Sequence, residues 1–135
     1  AAAKAIAISI NRPLFGFTNF EAIYYQGLIE GLIKKNSSSV IIIKANKNEC
    51  YYQEIDNNIY SNIGILKIDS IKKNKFITKS LIGICSDLSK FKGYHDCQPE
   101  KEAIFKVYKN NYKCISSLKK QELEPLYIKG HYAEK

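Results

Sequence analysis

The sequence predicts an α+β fold: a β-α-β start followed by antiparallel hairpins, forming one mixed sheet of five or six strands with one main helix packed on one face. Two observations carry this prediction. An amphipathic helix lies between two short isoleucine-rich runs near the N-terminus, and after residue 63 apolar runs of strand length alternate with turn residues. With 135 residues and no repeat, the chain is expected to form a single domain, 1–135, whose polar end 128–135 frays.

The main helix is predicted to begin after Thr18 and to run to about Lys35. Thr18 and Glu21 have the spacing of a capping box, in which each side chain binds the other residue's free backbone N–H. The apolar positions recur at helical spacing and form the face that should lie on the sheet: Phe20, Ile23, Tyr24, Gly27, Leu28, Gly31 and Leu32. The two glycines would allow a close approach to the sheet, and Ile33 is expected to be exposed.

The runs Ala5–Ile10 and Val40–Ala45 on either side of this helix are predicted strands. A helix that connects two strands of one sheet makes them parallel. The polar stretch 46–62 is interpreted as a loop or a short helix.

Two hairpins are predicted for the second half. Runs 64–71 and 75–86 are joined at Lys72-Lys73-Asn74, and runs 103–109 and 112–118 are joined at Asn110-Asn111, since asparagine tolerates the positive φ of tight turns. The segment 87–102 between them is a predicted loop, and 117–124 is a possible short helix before Pro125.

The charge is strongly positive but poor in arginine. The chain carries 21 basic and 13 acidic residues, for a net charge of +8, and Arg12 is its sole arginine. Residues 1–62 have a net charge of +1 and residues 63–135 one of +7. Because phosphate and base recognition favour the arginine fork, we expect nucleic-acid binding to be weak and salt-dependent. No apolar run is long enough to span a membrane.

Four cysteines, Cys50, Cys85, Cys97 and Cys114, are present without a close pair, which disfavours structural zinc. Their even number favours two disulfides, Cys85–Cys97 with Cys50–Cys114, or else Cys50–Cys85 with Cys97–Cys114; four reduced thiols in the core are the alternative. The alanine-rich start resembles a chain cleaved by signal peptidase, or a cloned fragment. We therefore expect a secreted or periplasmic protein, and the abundance of Lys, Asn, Ile and Tyr, typical of an AT-rich genome, favours a bacterial one.

Three sets of residues are candidates for chemistry. Tyr94-His95-Asp96-Cys97 places a thiol beside an imidazole and a carboxylate, although a disulfide-tied loop with a surface histidine is the favoured interpretation. His95 and His131, with Lys129 or Lys92, would provide the acid, base and cation of metal-free RNA cleavage.

The third set surrounds the N-terminus of the main helix: Asn11, Arg12, Thr18 and Asn19. Free N–H groups and the positive end of the helix dipole attract anions there. No metal-ligand spacing and no nucleotide-binding motif is present, so the sequence predicts neither a metal nor a cofactor.

The functional hypothesis is an exported, disulfide-containing, non-catalytic binding or assembly module of the bacterial envelope or medium that contacts a protein partner. The alternative is a secreted, basic, ribonuclease-like toxin that uses the histidine pair. The sequence leaves the oligomeric state open.

Overall fold

The computed structural model describes residue 9, residues 17–73, residue 76 and residues 79–115, with side chains up to residue 110. Its elements follow in the order α1 (Asn19–Ile29), β1 (Ser38–Lys44), β2 (Glu49–Asp56), β3 (Ile59–Tyr60), β4 (Gly64–Lys67), α2 (Ile68–Lys72), β5 (Ser80–Ile84), a 3₁₀ turn (Ser86–Leu88), β6 (Tyr94–Asp96) and α3 (Lys101–Ile115).

The strands form one mixed sheet in the order β3-β2-β1-β5-β6, and β4 also pairs with β2. The pairs of β2 with β1, β3 and β4 are antiparallel, whereas β5 is parallel to both β1 and β6. The predicted α+β class, with a mixed sheet and helices packed alongside it, is confirmed.

The start of α1 follows the predicted capping box. The Thr18 hydroxyl accepts a hydrogen bond from the backbone N–H of Glu21 at 3.2 Å, as the Thr18 side of that box requires. The helix ends at Ile29 rather than Lys35, because Gly31 adopts a φ of 75°. The N–H groups of Gly31 and Leu32 then bind the carbonyls of Leu28 and Gly27, which is a Schellman end.

Gly27 provides the close approach that was expected of both glycines. A Cβ atom there would lie 2.5 Å from Cδ1 of Ile82 on β5. Gly31 is exposed beyond the helix end, and Ile33, predicted to be exposed, is buried. The chain turns back after Gly31 and thereby places Ile33 under the helix.

The interpretation of 46–62 as loop or helix is wrong, because this stretch contains β2 and β3. Asn46 makes the turn before β2, where its side-chain oxygen accepts hydrogen bonds from the N–H groups of Asn48 and Glu49. Asn57 and Asn58 both have positive φ and join β2 to β3 as a two-residue type I′ turn.

Both predicted hairpins of the second half are also wrong. β4 pairs with β2, α2 follows it, and β5 then enters the sheet parallel to β1. Within 87–102, predicted as loop, the chain forms β6. The run 103–118 is helical as far as it is described, and Ala103 and Val107, one helical turn apart, are both buried.

The remaining predictions fall on residues outside the described ones. Of the predicted strand Ala5–Ile10 only Ser9 is described, and it is helical and exposed. The possible helix 117–124 and the end 128–135 lie outside the described residues.

Side chains of the sheet alternate between two cores, as the consecutive residues Val40, Ile41 and Ile42 of β1 illustrate. On one side α1 packs on the sheet and in turn against α3. The core of that side contains Phe20, Ile23, Tyr24, Ile33, Ile41, Ile55, Ile82 and Cys97. The opposite side is covered by α2 and the 3₁₀ turn, and its core contains Val40, Ile42, Cys50, Ile68, Ile71, Phe76, Leu81, Cys85, Leu88 and Tyr94.

Candidate functional site

Tyr94–Asp96 form strand β6 and not a loop, and Cys97 follows it directly with its N–H bound to the carbonyl of Gly83. The Tyr94 hydroxyl is buried, accepts a hydrogen bond from the N–H of Cys85 at 2.8 Å and donates one to Asp96 Oδ1 at 2.9 Å. Burial, together with the hydrogen bond to Asp96, raises the pKa of Tyr94. This tyrosine therefore remains protonated and holds the end of β5 against β6.

The hydrogen-bond partners of the Cys97 thiol do not include His95. The thiol is buried beneath α1, and its single S–H group has two acceptors in reach, the carbonyl oxygen of Ile23 at 3.7 Å and Glu30 Oε2 at 3.4 Å. Burial and the hydrogen bond to Glu30 raise the pKa of Cys97 to about 12. Because the thiolate is the nucleophile, this thiol has no catalytic activation, and the cluster does not form a thiol–imidazole site.

The predicted disulfides are contradicted. Cys50, Cys85 and Cys97 are buried free thiols, and Cys97 lies on the opposite side of the sheet from the other two. Both pairing schemes require bonds between these residues or from them to Cys114, whose side chain is outside the described part. These cysteines act instead as small apolar side chains of the two cores.

The histidine pair is not brought together by anything the structure describes. His95 is exposed on the edge strand β6, and Lys92 is exposed in the turn before it. His131 and Lys129 lie outside the described residues. The pairing of His95 with His131 stays a prediction.

The anion site predicted near the helix start is described only in part. Thr18 uses its hydroxyl to cap α1, Asn19 is exposed, and Asn11 and Arg12 lie outside the described residues. The half-buried Glu21 carboxyl adds an acidic group to this helix end, and burial raises its pKa. Anion binding by Asn11 and Arg12 stays a prediction.

Within the described ranges, three or more His, Cys, Asp or Glu side chains never come together as a metal site would require. No helix of this same part of the chain is long and apolar enough to cross a membrane.

An open groove of about 740 Å³ lies between α1, α3 and the turn that joins β2 to β3. This groove, which we call the basic groove, combines aromatic, amide and ammonium groups. Its lining residues are Tyr24, Tyr25, Leu28, Ile33, Lys35, Asn58, Lys106, Lys109 and Asn110.

Local structure fixes the walls of the basic groove. Lys106 and Lys109 are one helical turn apart on α3 and therefore point to the same side of it. Lys109 Nζ lies 5.4 Å from the centroid of the Phe105 ring, a cation–π contact with a residue outside the groove that holds the ammonium group at the groove's edge. On the opposite wall, the Tyr24 hydroxyl donates to Asn58 Oδ1 at 3.4 Å and ties α1 to the type I′ turn.

The basic groove carries unbalanced positive charge. Three of its described lining residues are lysines and none is acidic. Two ion pairs of the described chain, Lys44 with Asp87 and Lys79 with Glu54, use lysines outside the groove. Burial raises the pKa of Tyr24, so its hydroxyl stays neutral and supplies no opposing charge. The net charge of the second half indicated a basic surface, but not that Lys35 from the first half would join it.

The observed sheet, antiparallel around β2 and parallel from β1 to β6, defines the architecture to which the chain can be compared. Two solved structures from Pseudomonas aeruginosa share it: an uncharacterized protein with similarity to peptidase YeaZ, and YeaZ. Each aligns with a TM-score of 0.68 at 10% sequence identity, over 95% and 94% of this chain.

This chain covers 64% and 65% of those two chains, slightly less than two thirds of their length. At 10% identity the likeness establishes the fold alone. No family model and no curated protein matches the chain.

These findings correct the functional hypothesis drawn from the sequence. The expected exported, disulfide-containing module and its secreted or periplasmic location were derived from two predicted disulfides and from the alanine-rich start. The described cysteines are instead free thiols in a YeaZ-like fold. Both the export prediction and the toxin alternative that shared it are wrong.

Proposed function

We propose that this chain is a ligand-binding domain of YeaZ-like fold that binds a small polyanion in the basic groove. The observation that carries the proposal is the presence of three lysines, and of no acidic residue, among the described residues that line the basic groove. A second negative charge on the ligand would be needed to engage both walls, because Lys35 follows α1 while Lys106 and Lys109 belong to α3.

The volume of the groove supports a small molecule as the ligand. Small-molecule sites typically measure about 300–1,000 Å³, and the basic groove, at about 740 Å³, falls within that range. Tyr25 and Leu28 supply apolar surface, while Asn58 and Asn110 supply amide groups that can fix the orientation of a ligand. Organic phosphates and polycarboxylates combine the required charge and size.

One of the structural neighbours is described by its similarity to a peptidase. In the described part of this chain the candidate nucleophile Cys97 is not activated, because its thiol is hydrogen-bonded to Glu30 and its pKa is raised. Binding is therefore the function that its geometry favours over peptide hydrolysis.

Isothermal titration calorimetry with inorganic tripolyphosphate and with citrate tests the proposal, with glucose as the uncharged probe. Replacing both Lys106 and Lys109 by glutamine should weaken tripolyphosphate binding about fivefold to thirtyfold, since each of the two exposed charge contacts contributes about 0.5–1 kcal/mol. The matched control replaces Lys47 and Lys90, which are exposed and outside the groove, by glutamine at the same change in net charge.

Equal weakening in both double variants would show that tripolyphosphate responds to net charge and not to the groove, and would overturn the proposal. The same conclusion follows if neither polyanion binds the wild-type chain.

A further inference from the structure

We infer that the outer face of α3 is a docking surface for a second copy of this chain, with the two α3 helices packed antiparallel. This inference goes beyond the proposed ligand binding. It begins from three large apolar side chains on the solvent side of the helix: Ile104, Phe105 and Tyr108, which are 41%, 57% and 42% exposed. We call these three residues the outer band.

The outer band is separate from the face by which α3 packs in its own chain. Ala103 and Val107 are fully buried and attach the helix to the rest of the domain. Phe105 and Tyr108 stack on each other with ring centroids 6.5 Å apart and an interplanar angle of 24°, so they form a continuous aromatic surface. Exposed aromatic surface of this kind is enriched at protein interfaces.

The charges beside the outer band favour a second α3 helix as the binding partner and favour its antiparallel direction. Glu102 lies before the band and Lys109 after it, two helical turns apart and on the same side of the helix. If a second α3 runs antiparallel about a two-fold axis between residues 105 and 106, each Glu102 lies opposite Lys109 of the other copy. Lys101 then lies opposite the uncharged Asn110.

A parallel arrangement would instead bring Glu102 of one copy level with Glu102 of the other, and Lys109 level with Lys109, so that like charges would correspond. Two-fold interfaces use the same surface on both subunits, so such self-complementary charges are what an isologous contact requires. The outer band would supply the apolar centre of the interface and the two Glu102–Lys109 pairs would supply its rim.

Sedimentation velocity over a series of protein concentrations tests this inference, with circular dichroism to verify that each variant folds. The wild-type chain should dimerise as its concentration rises. Phe105→Glu should weaken the dimer at least about tenfold, because it places a charge at the centre of the apolar contact. The control is Ile59→Glu on β3, a residue that is 73% exposed at another surface, and it should leave the dimer unchanged.

A charge exchange tests the antiparallel direction. Glu102→Lys should weaken the dimer about twofold to fivefold by opposing two lysines, as should Lys109→Glu by opposing two glutamates. The double variant with both exchanges should restore wild-type association, because each pair is re-formed with its signs reversed.

A wild-type chain that stays monomeric at all concentrations would overturn the inference, as would a dimer that Phe105→Glu does not weaken. A double exchange that fails to restore association would also refute it. Phe105 and Glu102 do not line the basic groove, so polyanion binding by Phe105→Glu and Glu102→Lys tests the proposed function separately, whereas Lys109 belongs to both surfaces.

Discussion

Replacing Gly83 by alanine should separate the two central strands of the sheet. Gly83 lies on β5 opposite Ile42 of β1 and has a φ of 154°, outside the ordinary range of residues with a side chain. An added Cβ atom would lie 1.8 Å from the carbonyl oxygen of Ile42. Carbon–oxygen contacts need about 3.3 Å, so the strands would have to move apart by about 1.5 Å.

That displacement is large enough to break backbone hydrogen bonds between β1 and β5. Losing two or three of them, at about 1 kcal/mol each, and straining the backbone by about 1 kcal/mol gives a destabilisation of about 3 kcal/mol or more. For a domain of this size the melting temperature should fall by about 10 °C or more. Urea and thermal unfolding, followed by circular dichroism, measure both quantities.

Gly93→Ala and Gly31→Ala are the matched controls. Both glycines have positive φ, 93° and 75°, but an added Cβ atom would have no neighbour within 4 Å at either position. Each control should cost only about 1 kcal/mol, from the backbone strain alone. If Gly83→Ala is no more destabilising than these controls, the contact with Ile42 is not what requires glycine there, and the reasoning fails.

Three further predictions follow from the helix start, the buried Ile33 and the raised thiol pKa values. Thr18→Ala should destabilise the domain by about 1 kcal/mol in urea unfolding, because it removes the cap of α1. Ile33→Lys should cost about 2–4 kcal/mol, since the residue is only 3% exposed, whereas Ile59→Lys at the surface should change stability by less than about 0.5 kcal/mol; equal effects would contradict the observed burial. Burial raises the pKa of Cys50 and Cys97 from an ordinary value of 9.0 to about 12, so the stability they contribute is complete below pH 9 and is lost as the pH rises to 12. The urea midpoint should therefore fall across this interval, and Cys97→Ala should make the fall less steep; an unchanged slope would argue against the raised pKa of that thiol.

The features that the sequence predicted correctly depend on neighbouring residues. The capping box of Thr18 and Glu21 needs only one turn of helix, and the run around Ile41 is apolar enough to be a buried strand in any arrangement. The end of α1 was missed because Gly31 fits the apolar helical spacing as well as it fits a helix terminus. Its positive φ, which ends the helix, is not encoded in that spacing.

The errors in the second half arise where partners are distant in the chain. β5 pairs with β1 and not with the nearer β4, because the intervening α2 carries the chain to the other side of β1 in the sheet. In α3, the exposed Ile104, Phe105 and Tyr108 obscure the helical spacing of the buried Ala103 and Val107. Because apolar residues also occupy the solvent side, the sequence of this helix resembles that of a strand.

From the sequence, the basic groove could be predicted only as an excess of positive charge in the second half of the chain. Lys35, Asn58 and Lys106 come from segments far apart in the chain, and no sequence motif links them. The predicted chemistry depended instead on adjacent residues such as His95 and Cys97. In the folded chain His95 is exposed at the sheet edge, whereas the Cys97 thiol is buried and hydrogen-bonded to Glu30.

The side chain of Gln26 joins two helices that are far apart in the chain. Gln26 lies in α1 and is 95% buried, and its Oε1 accepts a hydrogen bond from the backbone N–H of Glu100, directly before α3, at 3.0 Å. Opening either helix would leave this buried amide without its partner, so local opening of one should require opening of the other. In hydrogen–deuterium exchange, the amides in the middle of α1 and in the turn of α3 around Ala103 to Val107 should therefore exchange at similar rates. Gln26→Leu, which removes the acceptor, should make the exchange of α3 faster than that of α1.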